Sequence, residues 1–278
     1  MTSDHAAADH RTTWDALPLS GYRTLVTGAA SGIGRAIALG FAEAGADVAV
    51  VGSLRGGDRL QAVVAEVEAR GRKAIGMSVD VSDDAAVGRI VQDAAERLGG
   101  LDTVVACAGV PAPSGLPATA RLSDISAAQF REVLDVNVRG AWSTVRYAVP
   151  YLRRSSRSPS AITIASVAAK RPTHGAYSVS KAALWMATRV LAEELAEFSI
   201  RANCIAPGFI DTPLFRQSAI DASGTASERV AARVPLRRIG RPEEVASTAI
   251  FLASGLSAYF TGALLNPDGG HIGVNAGG

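Results

Sequence analysis

From Tyr22 onward, short apolar runs alternate with longer stretches in which apolar residues recur every three or four positions. The runs are Thr24–Thr27, Asp47–Val51, Ala74–Ser78, Thr103–Ala106, Ala161–Ala165, Arg201–Ala206 and Ala263–Leu265. They are apolar throughout rather than alternating, as strands of a parallel sheet covered on both sides must be. Between them the period predicts helices over Gly34–Ala44, Leu60–Arg70, Ala85–Leu98, Ala127–Tyr151, Tyr177–Ser199 and Pro242–Ala253. Strand and helix alternating this often predict an α/β fold: a single doubly wound parallel sheet of Rossmann type with helices on both faces. No linker, change of composition or internal repeat divides it. The domain is read as residues 21–278, after a solvated tail of mixed charge over residues 1–20.

Composition narrows the function. The chain has 278 residues, 48% of them apolar and 19% charged, enough to build a core and too apolar for a disordered chain. A net charge of +2 is too small for a nucleic-acid or membrane-surface protein. Cys107 and Cys204 form no disulfide framework and suit a reducing, cytoplasmic setting. The histidines, His5, His10, His174 and His271, lie at no zinc-ligand spacing, so no metal is expected. The N-terminus has no apolar core for a secretion signal. Val245–Asn266 runs 22 residues without a charge, a length that could span a bilayer, but its serines, glycines and threonine read as a buried soluble segment.

The first strand ends in Thr27-Gly28-Ala29-Ala30-Ser31-Gly32-Ile33-Gly34, directly before a helix. Glycines there let the main chain approach a pyrophosphate, and the helix N-terminus offers that anion free N–H groups. Ile33, Ile37 and Phe41 share a face, with Ala36 and Gly40 small beside them so that the helix can lie close to the sheet. Farther on, Tyr177 and Lys181 stand one helical turn apart. A phenol with a pKa of about 10 needs about 4 kcal/mol to move down three units. An ammonium about 4 Å away, at an effective dielectric near 20, supplies roughly that.

The glycine pattern, Asn137 in Asp135-Val136-Asn137-Val138, Ser166 after a strand, the Tyr177/Lys181 pair and Pro207-Gly208 occur in this order. Together with Arg237–Val245 and Asn266-Pro267-Asp268-Gly269-Gly270 they resemble the short-chain dehydrogenase/reductase family, over about residues 21–270. The resemblance implies an NAD(P)-dependent oxidoreductase that interconverts a secondary alcohol and a ketone by hydride transfer. Tyr177 would then exchange the proton with the substrate oxygen, Ser166 would hydrogen-bond that oxygen, and Lys181 would lower the phenol's pKa and hold the nicotinamide ribose. Asn137 would hold a water linking Lys181 to solvent. Gly28, Ser31, Gly32, Ile33, Gly34 and Gly109 would cradle the cofactor, Asp80 and Val81 would meet the adenine, and Pro207, Gly208, Ile210 and Thr212 would line the nicotinamide amide.

The chain departs from the family's pattern in places. Cys107 stands where the family usually has Asn, and it reads as a buried, inert thiol. Ser166 lies eleven positions before Tyr177, two fewer than usual, which reads as a deletion in the Ala169–Ala176 loop; Thr163 is the other nearby hydroxyl. Strand 2 ends in Gly52-Ser53-Leu54-Arg55 without the carboxylate of NAD-specific relatives. Ser53 and Arg55 would welcome a 2′-phosphate, so NADP(H) is expected over NAD(H), although Ser31 stands where phosphate-binding relatives often carry a cation.

The remaining features read blandly. Arg153–Arg157 closes a helix, where cations suit the dipole. Trp142, Trp185 and Met186 read as packing residues. Ser166 with His174 lacks the acidic partner and nucleophile elbow of a hydrolase. Asp211–Pro235, polar and rich in small residues, is expected to be a mobile lid over the pocket. The expected partner is a small alcohol or ketone, and the resemblance implies a homotetramer. The competing reading is a non-catalytic dinucleotide-binding sensor or assembly subunit.

Overall fold

The computed structural model describes residues 17–172, 175–218 and 226–273. Seven parallel strands form one sheet in the order β3-β2-β1-β4-β5-β6-β7. They are β1 (Arg23–Thr27), β2 (Asp47–Gly52), β3 (Ala74–Ser78), β4 (Thr103–Ala106), β5 (Ser160–Ile164), β6 (Arg201–Ile205) and β7 (Leu264–Leu265). Neighbouring residues within a strand enter opposite cores, which is why the runs are apolar throughout. Val26, Val48, Val50, Val105 and Ile162 pack beneath α1 (Gly32–Glu43), α2 (Gly57–Glu68) and α9 (Pro242–Ala253). Leu25, Ala49, Val51, Val104 and Ala161 pack beneath α3 (Asp84–Leu98), α5 (Ala141–Leu152) and α6 (Gly175–Ala196).

Ile37 and Phe41 of α1 are fully buried. Gly40 differs from its expected role: it faces α9 rather than the sheet, and a Cβ there would stand 3.3 Å from Ile250 Cδ1 and 3.4 Å from Ala246 Cβ. The uncharged stretch from Val245 folds as most of α9, a short 3-10 turn and β7, with Val245, Ala249 and Leu252 wholly inside. Among the described residues no helix is long and apolar enough to cross a membrane.

The long helix expected over Ala127–Tyr151 is interrupted. It runs as α4 (Ala127–Leu134), a π-helical segment over Asp135–Gly140, and α5. Gly140 touches the third strand's exit, where a Cβ would come within 2.7 Å of the Val81 carbonyl oxygen. A π turn at such a contact re-aims the side chains beside it, Asn137 among them. The stretch read as tail also reaches the core at its end. Leu19 is fully buried and its N–H donates to the Ala44 carbonyl at 2.9 Å. Residues 1–16 lie outside the described residues, as do 274–278. The described residues of the expected lid include two helices, α7 (Pro213–Ser218) and α8 (Ala226–Arg233). The chain leaves and re-enters the body at one place, where Gly240 N donates to Phe209 O and Asp211 N to Gly240 O, both at 2.9 Å.

Candidate active site

A cleft of about 820 Å³ runs along the carboxyl ends of the strands, where the strand order reverses between β1 and β4. This is the crevice in which open α/β sheets bind ligands. At its base, Gly28 takes φ +68°, and a Cβ there would lie 2.9 Å from the Ala108 backbone. A side chain at Gly34 would collide with the Gly28 carbonyl. The turn is therefore closed to anything larger than glycine at both positions. Ser31 begins α1 in an extended conformation without capping it, and the first turn carries no acid. Ser31, Gly32, Ile33 and Gly34 all line the cleft. An uncapped helix end with backbone exposed to a cleft suits a pyrophosphate, so a dinucleotide fits here on the chain's own geometry.

The neighbouring strand ends extend this half of the site. Thr27 Oγ1 accepts from Cys107 N at 3.1 Å and Ala108 N at 3.2 Å, tying the β1 and β4 exits together. Ser53, Arg55, Asp80, Val81, Cys107 and Gly109 line the cleft, and Arg59 of α2 joins them. Neither Arg55 nor Arg59 has an ion pair among the described residues. Ser82 donates to Asp80 from both N (2.9 Å) and Oγ (2.7 Å), which holds the carboxyl below its ordinary range. Burial pushes the Cys107 thiol up to about 12, which leaves it an inert wall residue.

The reacting half lies at the exits of β5 and β6. Ser166 follows β5, with Oγ accepting from Ala168 N at 3.1 Å and hydrogen-bonded to the Tyr177 phenol. The shortened loop therefore still delivers this serine to Tyr177, whereas Thr163 is buried within β5 and bonded to Thr188 Oγ1 at 2.7 Å. Lys181 is 4% exposed; its Nζ donates to the Ile164 carbonyl at 2.8 Å and lies 5.5 Å from the Tyr177 ring centroid. Burial draws the ammonium down to about 8. It also pushes the Tyr177 phenol up, with Ser166 working the other way. The lowered phenol expected from the Tyr–Lys pair is thus absent from the protein by itself. Burial is the largest influence on the phenol, ahead of its hydrogen bond with Ser166.

Asn137 is fully buried and does not line the cleft. Its Oδ1 accepts from Val110 N at 2.8 Å, and Nδ2 donates to Val110 O and Ser180 Oγ, both at 2.9 Å. Ser180 Oγ in turn donates to Tyr177 O at 2.7 Å. Both amide donors are committed, so the side chain anchors the β4 exit loop to the first turn of α6. Asn137 Oδ1 and Lys181 Nζ nevertheless lie on the same side of Gly109, where a Cβ would stand 3.1 and 3.3 Å from them.

Pro207, Gly208, Ile210 and Thr212 form the far wall, with Thr212 Oγ1 accepting from Phe215 N at 3.1 Å at the start of α7. Beyond them stand Phe209, Leu214, Phe215, Val230 and His271, none singled out by sequence. Arg171 lines the cleft beside the Ser166 turn, and His174 lies outside the described residues. Arg59 and His271 belong to no motif. Only the topology, which gathers the strand ends, could have found them.

The basic run after α5 has local partners. The Arg153 guanidinium lies 3.8 Å from the Phe198 ring centroid and that of Arg154 5.0 Å from Tyr151. Among the described residues no group of three or more His, Cys, Asp or Glu is placed to hold a metal.

Comparison with known proteins places this geometry. Residues 28–271 match the family described as Enoyl-(Acyl carrier protein) reductase. The 3-oxoacyl-(acyl-carrier-protein) reductase FabG of Thermotoga maritima is 35% identical over 256 residues, which cover 91% of this chain and 99% of that protein. A short-chain dehydrogenase from Burkholderia cenocepacia, solved in complex with NADP, is 34% identical with a TM-score of 0.81, covering 91% of this chain and 99% of that one. A 7α-hydroxysteroid dehydrogenase complexed with NADH and 7-oxo glycochenodeoxycholic acid is 31% identical with a TM-score of 0.83, covering 93% of this chain and 97% of that one.

Proposed function

Because the chain belongs to the short-chain dehydrogenase/reductase family, and is thereby an NAD(P)-dependent oxidoreductase, we propose that it interconverts a secondary alcohol and a ketone with Tyr177 as general acid and base. The observation that carries this reading is the meeting of Ser166, Tyr177 and Lys181 in one cleft with the β1–α1 turn. A bound nicotinamide supplies or accepts the hydride. Tyr177, kept protonated by burial, gives its proton to the carbonyl oxygen in reduction, while the Ser166 hydroxyl hydrogen-bonds the same oxygen as charge grows there. In the reverse direction Tyr177 acts as the phenolate, which the Lys181 ammonium steadies until it takes the proton of the alcohol. Asn137 and Ser180 fix the turn that aims Tyr177.

The same reading assigns the adenosine end to NADP(H). Ser53, Arg55 and Arg59 face the cleft where β2 ends, and the residues Gly52–Gly57 include no carboxylate. Two cations there favour a 2′-phosphate, which an acid would repel. Exposed apolar residues on α5 and α6 (Trp142, Val179, Met186 and Val190) support a homotetramer, and the free cysteines suit a cytoplasmic enzyme.

Fluorescence titration with NADPH and NADH, followed by a panel of ketones and alcohols read at the nicotinamide absorbance, tests both parts. Arg55→Glu is expected to weaken NADPH about tenfold or more while NADH changes far less, since a hydrogen bond to a charged group is worth roughly 1.5–3 kcal/mol. Equal small changes for the two cofactors would refute the assignment. Cofactor binding without turnover across the panel would favour a non-catalytic binder.

A further inference from the structure

At the end of the cleft beyond Pro207-Gly208, the structure leaves one polar group unmet. His271 lines the cleft yet is only 7% exposed, and its ring packs on Phe209 with centroids 4.9 Å apart. Phe209 meets Phe215 of α7 at 6.1 Å, so the three rings form a continuous wall. Among the described residues, His271 Nδ1 is buried without any hydrogen-bond partner. Such groups are rare in folded proteins because each carries a desolvation cost.

Hydrogen bonds from the backbone hold the turn that carries this ring. Asp268 Oδ1 accepts from Gly270 N and Oδ2 from Ile272 N, both at 2.9 Å, one bond on each side of His271. Asp268 itself is wedged against Gly208, where a Cβ would come within 2.7 Å of Asp268 Cα. The turn that presents His271 therefore rests directly on the segment lining the reacting end of the cleft. A nearly buried imidazole with an unmet nitrogen, packed on Phe209 at the end of a row of rings, has no structural advantage over a third phenylalanine. It has one for a ligand that brings a polar atom into an otherwise apolar pocket.

We propose that His271 is a specificity-determining residue, which selects substrates whose apolar ring or chain carries a second oxygen away from the reacting carbon. The proposal rests on the alcohol–ketone reading above. The body of the substrate packs against Phe209, Phe215 and Val230. Rotation of the imidazole about Cβ–Cγ turns Nδ1 from its buried position toward the cleft, where it bonds a hydroxyl or carbonyl oxygen of the ligand. A pocket built around such a bond discriminates against the analogue that lacks it, because the buried group then stays unpaired.

His271→Phe and His271→Asn test this in two independent ways. The first readout is thermal unfolding without substrate: His271→Phe is expected to melt at or above the wild-type temperature, since it removes the unmet nitrogen and keeps the ring. The second is the ratio of kcat/KM for 4-hydroxycyclohexanone over cyclohexanone with NADPH. It is expected to fall about five- to tenfold in His271→Phe, mostly through KM, and to recover in part in His271→Asn. A lower melting temperature in His271→Phe, or a ratio that does not move, overturns the inference. The reaction itself fails separately: if wild type reduces neither ketone, the alcohol–ketone reading falls, and the melting temperature still decides whether Nδ1 is an unmet group.

Discussion

The two ends of the sheet treat charge in opposite ways. At the amino ends of the strands, two buried charges are caged by several partners each, although among the described residues Arg72 Nε and Thr103 Oγ1 are buried there without one. Asp102, before β4, takes two bonds from the Arg23 guanidinium (2.8 and 2.9 Å), one from Arg23 N at 2.9 Å and one from Ser155 Oγ at 2.6 Å. Burial pushes its carboxyl up, but those bonds outweigh it and hold the pKa below the ordinary value. Arg201 has no carboxylate partner among the described residues. Its guanidinium donates to Leu252 O at 2.9 Å and to Ser257 Oγ at 2.7 Å, with Ser254 and Ser158 completing the cage. At the carboxyl ends the pattern is reversed. The start of α1 is uncapped, Arg55 and Arg59 lack ion pairs among the described residues, Lys181 is buried without a carboxylate partner, and His271 Nδ1 is unmet. Charges caged by several partners stabilise a fold, whereas cations left without an ion pair along a cleft can meet an anionic ligand.

This contrast is open to direct challenge, and the largest effect is expected at the amino ends. Asp102→Ala strips Arg23 of its bidentate partner and leaves a partly buried cation. We expect about 3 kcal/mol of destabilisation in denaturant unfolding, with kcat nearly unchanged in the protein that remains folded. A comparable loss of kcat at low denaturant would show that the two ends are coupled rather than separate.

Lys181→Met probes the other end and should act with the opposite sign. The ammonium pKa falls from 10.5 to about 8 in the folded chain. Between those values the unfolded chain holds the proton and the folded one does not, so wild-type stability rises as pH climbs from about 8 to 10.5. Below pH 8 the folded protein bears the full cost of a buried charge. The methionine variant is therefore expected to be more stable than wild type at pH 7, by on the order of 2 kcal/mol. That advantage should shrink steadily as pH rises toward 10.5, alongside a loss of turnover. A variant less stable than wild type at pH 7 would remove Lys181 from the strained end of the molecule.

Much of this organisation is legible in the sequence, for a physical reason. The inner strands are buried on both faces, so their apolar runs end within a residue of the strand itself, as at Asp47–Gly52 and Thr103–Ala106. The β1–α1 turn and the Tyr177/Lys181 pair are equally visible because their spacing is local. What escapes is set by contacts distant in sequence. Leu19 looks like tail because the residues that bury it are supplied later in the chain. The π segment at Asp135–Gly140 depends on Gly140 meeting Val81 across the fold. His271 carries no pattern, and its isolation emerges only when Phe209 and Asp268 close around it. The raised phenol is also a product of burial, which a Tyr–Lys spacing cannot report.

The central claim is that Tyr177 handles the proton in a cleft whose cofactor-binding half works without it. It is tested most directly by titrating Tyr177→Phe with NADPH and then assaying the same sample for ketone reduction. NADPH affinity is expected within about twofold of wild type and turnover reduced by roughly 10²–10⁴-fold, the ordinary range for losing a general acid. Wild-type turnover in the phenylalanine variant would contradict it.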